Sequence, residues 1–96
     1  MSTTTNLNPA DDRLTKLLCD ISDPALMQSV VEVLLTPKER QEVDNRIQVF
    51  QKLAEHLPQR EIATSLNVGI ATVIRGAKVY RSAHLFKTAP DILNHL

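Results

Sequence analysis

The sequence contains few of the residues that several protein classes depend on. It has one cysteine, Cys19, which excludes an internal disulfide framework and any multi-cysteine zinc or iron–sulfur site. Two glycines among 96 residues disfavour a β protein with many turns. No apolar run approaches the roughly 18–20 residues of a membrane span, and the opening MSTTTNLNPADD lacks the basic-then-apolar order of a signal peptide. We therefore expect a cytoplasmic chain with no membrane partner.

The formal net charge is zero, but the charges are unevenly distributed. Residues 1–56 carry six basic and nine acidic side chains, whereas residues 57–96 carry five basic and two acidic ones. Because salt screens charges beyond about 8–10 Å, the local balance governs contact with a polyanion. The C-terminal part is thus suited to phosphates, although an imbalance of three charges is also within ordinary scatter.

Leucine, isoleucine and valine recur at helical spacings, and no segment has the alternation of a strand. Helix starts are indicated by Asn8-Pro9, by Ser22-Asp23-Pro24 and by the capping box that begins at Thr36-Pro37. We predict an all-α fold of five to six helices, with a disordered arm at 1–8 and a single helical domain at 9–96. The last short helix is expected within 84–96, where Ile92, Leu93 and Leu96 follow Pro90. The second helix is apolar on more than one face, which favours a homodimer whose interface completes the core.

Residues 59–81 have the pattern of a helix-turn-helix. Two short helical segments, 59–66 and 70–81, flank Asn67-Val68-Gly69, and Asn67 tolerates the left-handed backbone that such a turn requires. The expected inward-facing residues are Ile62, Ala63, Leu66, Val68 and Val73. Basic residues at 60, 75, 78 and 81 favour DNA as the partner, and the alternative is an αα-hairpin used only for packing.

No catalytic or metal site is predicted. His56, His84 and His95 are scattered at expected helix ends, without the spacing of metal ligands. Cys19 has no histidine nearby and is expected to be a small buried hydrophobe. Residues 39–44 form a charged run that we interpret as the solvated face of the third helix. We therefore expect a protein that is not an enzyme and has no cofactor.

The stretch from Leu34 to Arg81 resembles the tryptophan repressor family. It reads LLTPKERQEVDNRIQVFQKLAEHLPQREIATSLNVGIATVIRGAKVYR and covers 48 of the 96 residues, with the LLTPxER box, the QRE start and the GIATxxRG run as its signature. The resemblance implies an intertwined all-helical homodimer that represses transcription. Such a dimer binds L-tryptophan as corepressor and then a palindromic double-stranded operator.

The resemblance also implies a ligand site. The carbonyls of Val33 and Leu35 and the hydroxyl of Thr36 would bind the amino-acid group, while Arg46 and Arg75 would hold the indole between two guanidiniums. We interpret Gly76 as leaving room for this flat ligand, and Val79 stands where the family has a serine that helps to hold the ammonium. The full predicted ligand set is Val33, Leu35, Thr36, Arg46, Arg75, Gly76 and Val79.

The predicted DNA-facing set is Gln59, Arg60, Ile70, Ala71, Thr72, Ile74, Arg75, Lys78 and Arg81. Lys78 and Arg81 are expected to contact phosphate rather than bases. Ile74 replaces a threonine of the family, and Ala63 replaces a lysine. The alternatives are a DNA-binding regulator of the same fold that responds to a different small ligand or to none, which Val79 supports, and a helical dimer that acts only as an interaction module.

Overall fold

The computed structural model describes residues 12–96, and the chain divides into two units, Met1–Pro37 and Lys38–Leu96. Within residues 12–96 there are six helices and no strand, which confirms the all-α prediction. The helices are α1 (Arg13–Cys19), α2 (Pro24–Leu34), α3 (Pro37–Ala54), α4 (Gln59–Leu66), α5 (Ile70–Ser82) and α6 (Leu85–Thr88). The expected arm at 1–8 and the start signal at Asn8-Pro9 lie outside the described residues.

Local start signals explain where the first three helices begin. The Asp12 carboxylate accepts a hydrogen bond from the Leu14 N–H at 3.2 Å and caps α1. The Asp23 carboxylate caps α2 in the same way through the Leu26 N–H at 3.0 Å, with Pro24 at the first helical position. The third helix begins at Pro37, as the Thr36-Pro37 signal predicted.

The N-terminal unit leaves most of its apolar surface accessible. None of its described residues is buried, and in α2 the side chains of Leu26, Leu34 and Val33 are 52%, 49% and 84% exposed. Cys19, expected to be buried, is exposed at the end of α1 because no described element of the chain covers that position. Helices α1 and α2 therefore have little hydrophobic core of their own.

The C-terminal unit contains the core. Val49 of α3 meets Ile62 and Ala63 of α4 and Val73 of α5, and these side chains are 0–9% exposed. Leu53, Leu57, Leu66 and Val68 pack around them. The inward-facing residues predicted for the helix-turn-helix are thus confirmed, and they join α4 and α5 to the long helix α3.

The C-terminal segment contains the short helix predicted within 84–96, but this helix does not include the apolar residues that suggested it. Its helix, α6, precedes Pro90, whereas residues 90–95 form turns. Phe86 of α6 packs against Phe50 and Tyr80, with ring centroids 5.0 and 4.8 Å apart, so aromatic packing holds α6 in place. The amide Nε2 of Gln51 donates to the Leu93 carbonyl at 3.0 Å and fixes the following turns on α3.

Candidate DNA-reading surface and ligand groove

Helices α4 and α5 form the predicted helix-turn-helix. Asn67 ends α4 in the left-handed conformation, with φ 55° and ψ 46°, and the Val68 N–H donates to the Ala63 carbonyl at 3.0 Å. Gly69 precedes α5 in an extended conformation, and α4 packs directly on α5. This geometry buries Val73 on one side of α5 and leaves the opposite side accessible.

Six of the nine predicted DNA-facing residues are exposed residues of α5, and Arg60 is exposed on α4. Gln59 and Thr72 are half-buried, and the exposed ones are Arg60, Ile70, Ala71, Ile74, Arg75, Lys78 and Arg81. Helix α5 contains no acidic residue, and within residues 12–96 none of these cations forms a salt bridge. We call this exposed set the reading surface. Its unpaired cations are available to a polyanion such as the phosphate backbone.

A groove of about 620 Å³ lies between α3 and α5. It brings together four of the predicted ligand residues, Arg46, Arg75, Gly76 and Val79. The other lining residues are Glu42, Asn45, Phe50 and Thr72. The groove therefore combines two guanidiniums, a carboxylate, an aromatic ring and an apolar wall.

Three predicted ligand residues belong to the N-terminal unit. Val33 lies in the last turn of α2, and Leu35 caps that helix in an extended conformation, with its N–H donating to the Val31 carbonyl at 3.0 Å. Thr36 directly precedes α3. The last carbonyl groups of a helix have no partner within that helix. The end of α2 is therefore a place where a donor group of a ligand can be accepted.

Gly76 has a structural role that the sequence did not reveal. A Cβ at this position would lie 2.8 Å from Cγ1 of Val49, which is closer than van der Waals contact allows. The interpretation of Gly76 as leaving room for a flat ligand therefore does not account for this glycine by itself, because the buried Val49 side chain already leaves no space for a Cβ. Gly76 nevertheless also lines the groove on another side.

Glu42, Asn45 and Phe50 were not predicted to belong to the site. Glu42 was interpreted as part of a solvated charged run, yet it lines the groove. Glu42, Arg46 and Phe50 stand four residues apart along α3, a spacing that places them on one helix face. This spacing was a signal for Glu42 and Phe50 once Arg46 had been assigned to a site, whereas Asn45 does not share it.

Arg75 belongs to both surfaces. It is exposed on the reading surface, it lines the groove, and its Nη2 lies 3.5 Å from Oγ1 of Thr72, one turn earlier in α5. A molecule bound in the groove would thus contact a side chain that also belongs to the reading surface. Among the residues of the reading surface, Arg75 is the one that also lines the groove.

The family model described as Trp repressor protein matches residues 11–88. The chain belongs to the Trp repressor family. Membership of a repressor family agrees with the expectation that the chain is not an enzyme. No solved structure matches the chain.

Among relatives of this Trp repressor family member are proteins named Trp operon repressor homolog. The one from Pasteurella multocida (strain Pm70) is 41% identical over 56 residues, which cover 57% of this chain and 55% of that protein. The one from Aliivibrio fischeri (strain MJ11) is 33% identical over 67 residues, covering 69% and 62%. The one from Xylella fastidiosa (strain 9a5c) is 33% identical over 69 residues, covering 71% and 75%. The chain thus matches a little over half of the first two relatives.

Across residues 12–96, no helix combines the length and apolarity that crossing a membrane requires. Over the same residues, no group of three or more histidine, cysteine, aspartate or glutamate side chains is arranged to hold a metal ion.

Proposed function

We propose that this Trp repressor family member is an L-tryptophan-activated transcriptional repressor that binds a palindromic operator as a homodimer in the cytoplasm. The observation that carries the proposal is the groove in which Arg46, Arg75 and Gly76 lie together, directly beside the reading surface. Family membership supports the same function, because the matching relatives are named Trp operon repressor homologs.

The chemistry of the groove suits an indole. Two planar guanidiniums can stack on the two faces of an aromatic ring, and either can pair with a carboxylate through parallel hydrogen bonds. Lysine would supply the charge without the plane. In this proposal Arg46 and Arg75 hold the indole, while the carbonyls of Val33 and Leu35 and the hydroxyl of Thr36 bind the amino-acid group.

Homodimerisation is supported by the N-terminal unit. Val33 is 84% exposed and Leu26 52% exposed, although both are aliphatic. Each such side chain gains roughly 1.5–3 kcal/mol when it is fully buried, so a second copy that covers α2 would supply much of the missing core. A dimer also presents two reading surfaces, which matches the two half-sites of a palindrome.

Activation by the ligand follows as a population shift. L-Tryptophan bound against Arg75 would favour the orientation of α5 that fits the major groove, and it can do so only by its differential affinity for that orientation. A tenfold gain in operator affinity requires about 1.4 kcal/mol of such coupling.

The decisive experiment is titration of the protein with L-tryptophan. It is followed by selection of the DNA duplexes that the protein binds, once with L-tryptophan present and once without it. The chain contains no tryptophan, so the ligand supplies the only indole fluorescence and binding can be followed directly. We expect binding at millimolar concentration or tighter and enrichment of a palindrome only with ligand present. If L-tryptophan does not bind in this range, the proposed corepressor is wrong.

Two arginine variants separate the two surfaces. Arg75→Ala is expected to abolish both L-tryptophan binding and operator binding, because this side chain belongs to both. The matched control is Arg81→Ala, which lies on the reading surface but does not line the groove. It should weaken DNA binding and leave the L-tryptophan affinity unchanged.

A second candidate function is a regulator of the same fold with a different effector. Val79, which is 51% exposed on the groove wall, is the observation that favours it, because an isopropyl group cannot hydrogen-bond an ammonium. Under this alternative, another aromatic metabolite would bind more tightly than L-tryptophan. Restoring the polar group with Val79→Ser would then raise the L-tryptophan affinity.

A further inference from the structure

Glu42 is the one acidic residue among the described residues that line the groove. It lies in α3 one helical turn before Arg46 and two turns before Phe50. Within residues 12–96 its carboxylate forms no salt bridge and no side-chain hydrogen bond. By contrast, Asp44, two residues later on the same helix, accepts a hydrogen bond from Gln48.

The groove thus has two positive groups, one negative group and an aromatic ring. The wall that faces them from α5 includes Val79, which offers neither a hydrogen-bond donor nor an acceptor. A purely anionic aromatic ligand would satisfy Arg46 and Arg75 but would bring its carboxylate into the field of Glu42. A zwitterion satisfies both signs at once.

We propose that Glu42 binds the ammonium group of an aromatic α-amino acid and thereby makes the groove selective for zwitterions over aromatic acids that lack the amine. The inference rests on the proposed ligand-binding function and specifies its selectivity. The carboxylate replaces the hydrogen-bonding group that is missing at Val79, and it does so from α3 rather than from α5.

A thermodynamic cycle tests the pairing, because the ammonium can be deleted from the ligand and the carboxylate from the protein. We expect Glu42→Gln to weaken L-tryptophan binding about tenfold, the lower end for a hydrogen bond between charged groups, since the groove is open to solvent. Indole-3-propionate, which lacks the ammonium, should bind the variant as well as the wild type or better. Tryptamine, which keeps the ammonium, should be weakened like L-tryptophan.

The control for the charge change is Asp44→Asn on the same helix. Asp44 is exposed and does not line the groove, so its neutralisation should leave all three affinities unchanged. Glu42→Asp keeps the carboxylate and should recover part of the L-tryptophan affinity, and far-ultraviolet circular dichroism verifies that each variant folds.

The outcomes are distinct. If Glu42→Gln weakens L-tryptophan and indole-3-propionate equally, or weakens neither, the pairing is wrong while the proposed function stands. If the wild type binds none of the three indoles, both proposals are wrong.

Discussion

Val49 leaves no room for a Cβ at Gly76, and this restriction bears on the site because Gly76 lines the groove. A glycine inside a helix is destabilising by about 1 kcal/mol relative to alanine, so propensity alone favours alanine at position 76. The added Cβ would however approach Val49 Cγ1 to 2.8 Å, and Val49 is a branched side chain that is 1% exposed. Overpacking of this kind costs about 1–3 kcal/mol, so we expect the steric term to exceed the propensity term.

The first prediction follows from that comparison. Gly76→Ala should lower the free energy of unfolding by about 1 kcal/mol in the wild-type background, because α5 must move away from α3. In a Val49→Ala background the clash is removed, and the same change should be neutral or stabilising. Urea unfolding of the four proteins measures the coupling, and an equal loss in both backgrounds would contradict the steric explanation.

The second prediction concerns His56, which follows α3 with φ 63°. The left-handed conformation costs a residue with a Cβ roughly 1–2 kcal/mol, so His56→Gly should raise the thermal midpoint. His84, with φ −62° and ψ −30°, is the matched control. His84→Gly removes the same side chain from a right-handed position and should lower the midpoint, because glycine only adds freedom to the unfolded chain there. Equal shifts in the two variants would count against the backbone argument.

At the scale of elements, helix starts were predictable where a short local signal fixes them. Asp23-Pro24, Thr36-Pro37, and the Asn67-Val68-Gly69 turn give α2, α3 and α5 at the expected residues. The position of α6 was not predictable from local pattern, because packing of Phe86 on Tyr80 and on the distant Phe50 decides it. Membership of Glu42 in the groove follows from its four-residue spacing to Arg46 once Arg46 is placed in the site, whereas the charged run by itself does not carry that information.

The third prediction concerns the apolar part of α5. Ile74 is 41% exposed on the reading surface, beside Arg75 and Lys78. An exposed aliphatic group at the DNA interface suits the C5-methyl of thymine, the one apolar feature of the major groove. Replacing thymine by deoxyuridine at one position of a selected operator should therefore weaken wild-type binding about threefold to tenfold, in line with roughly 1 kcal/mol for a buried methyl group.

The same base change should have no further effect on Ile74→Ala, since the variant has already lost the contact. If every thymine can be replaced without loss for the wild type, Ile74 does not read a methyl group.

For the whole molecule, we expect the salt dependence of DNA binding to follow the distribution of charge along the chain rather than the formal net charge, which is zero. Residues 57–96 carry five basic and two acidic side chains, and the basic ones include the unpaired cations of the reading surface. The acidic excess lies in residues 1–56. Lys16 of that N-terminal part pairs with Asp20 at 3.4 Å, so it is already partly neutralised. DNA binding should therefore depend on salt as a basic domain would, despite the neutral chain.

The fourth prediction concerns the slope of the logarithm of DNA affinity against the logarithm of salt concentration. Each phosphate neutralised by a cation contributes about −0.9 to the slope of log affinity against log salt. Because a dimer carries two copies, Lys78→Ala should make the slope shallower by about two and weaken operator and unrelated duplexes about equally. Lys16→Ala, which removes the same charge from the N-terminal unit, should leave the slope unchanged. If the affinity of the wild type for DNA does not change with salt, α4 and α5 form a hairpin used only for packing. If Lys78→Ala and the wild type have equal slopes, Lys78 does not contact phosphate.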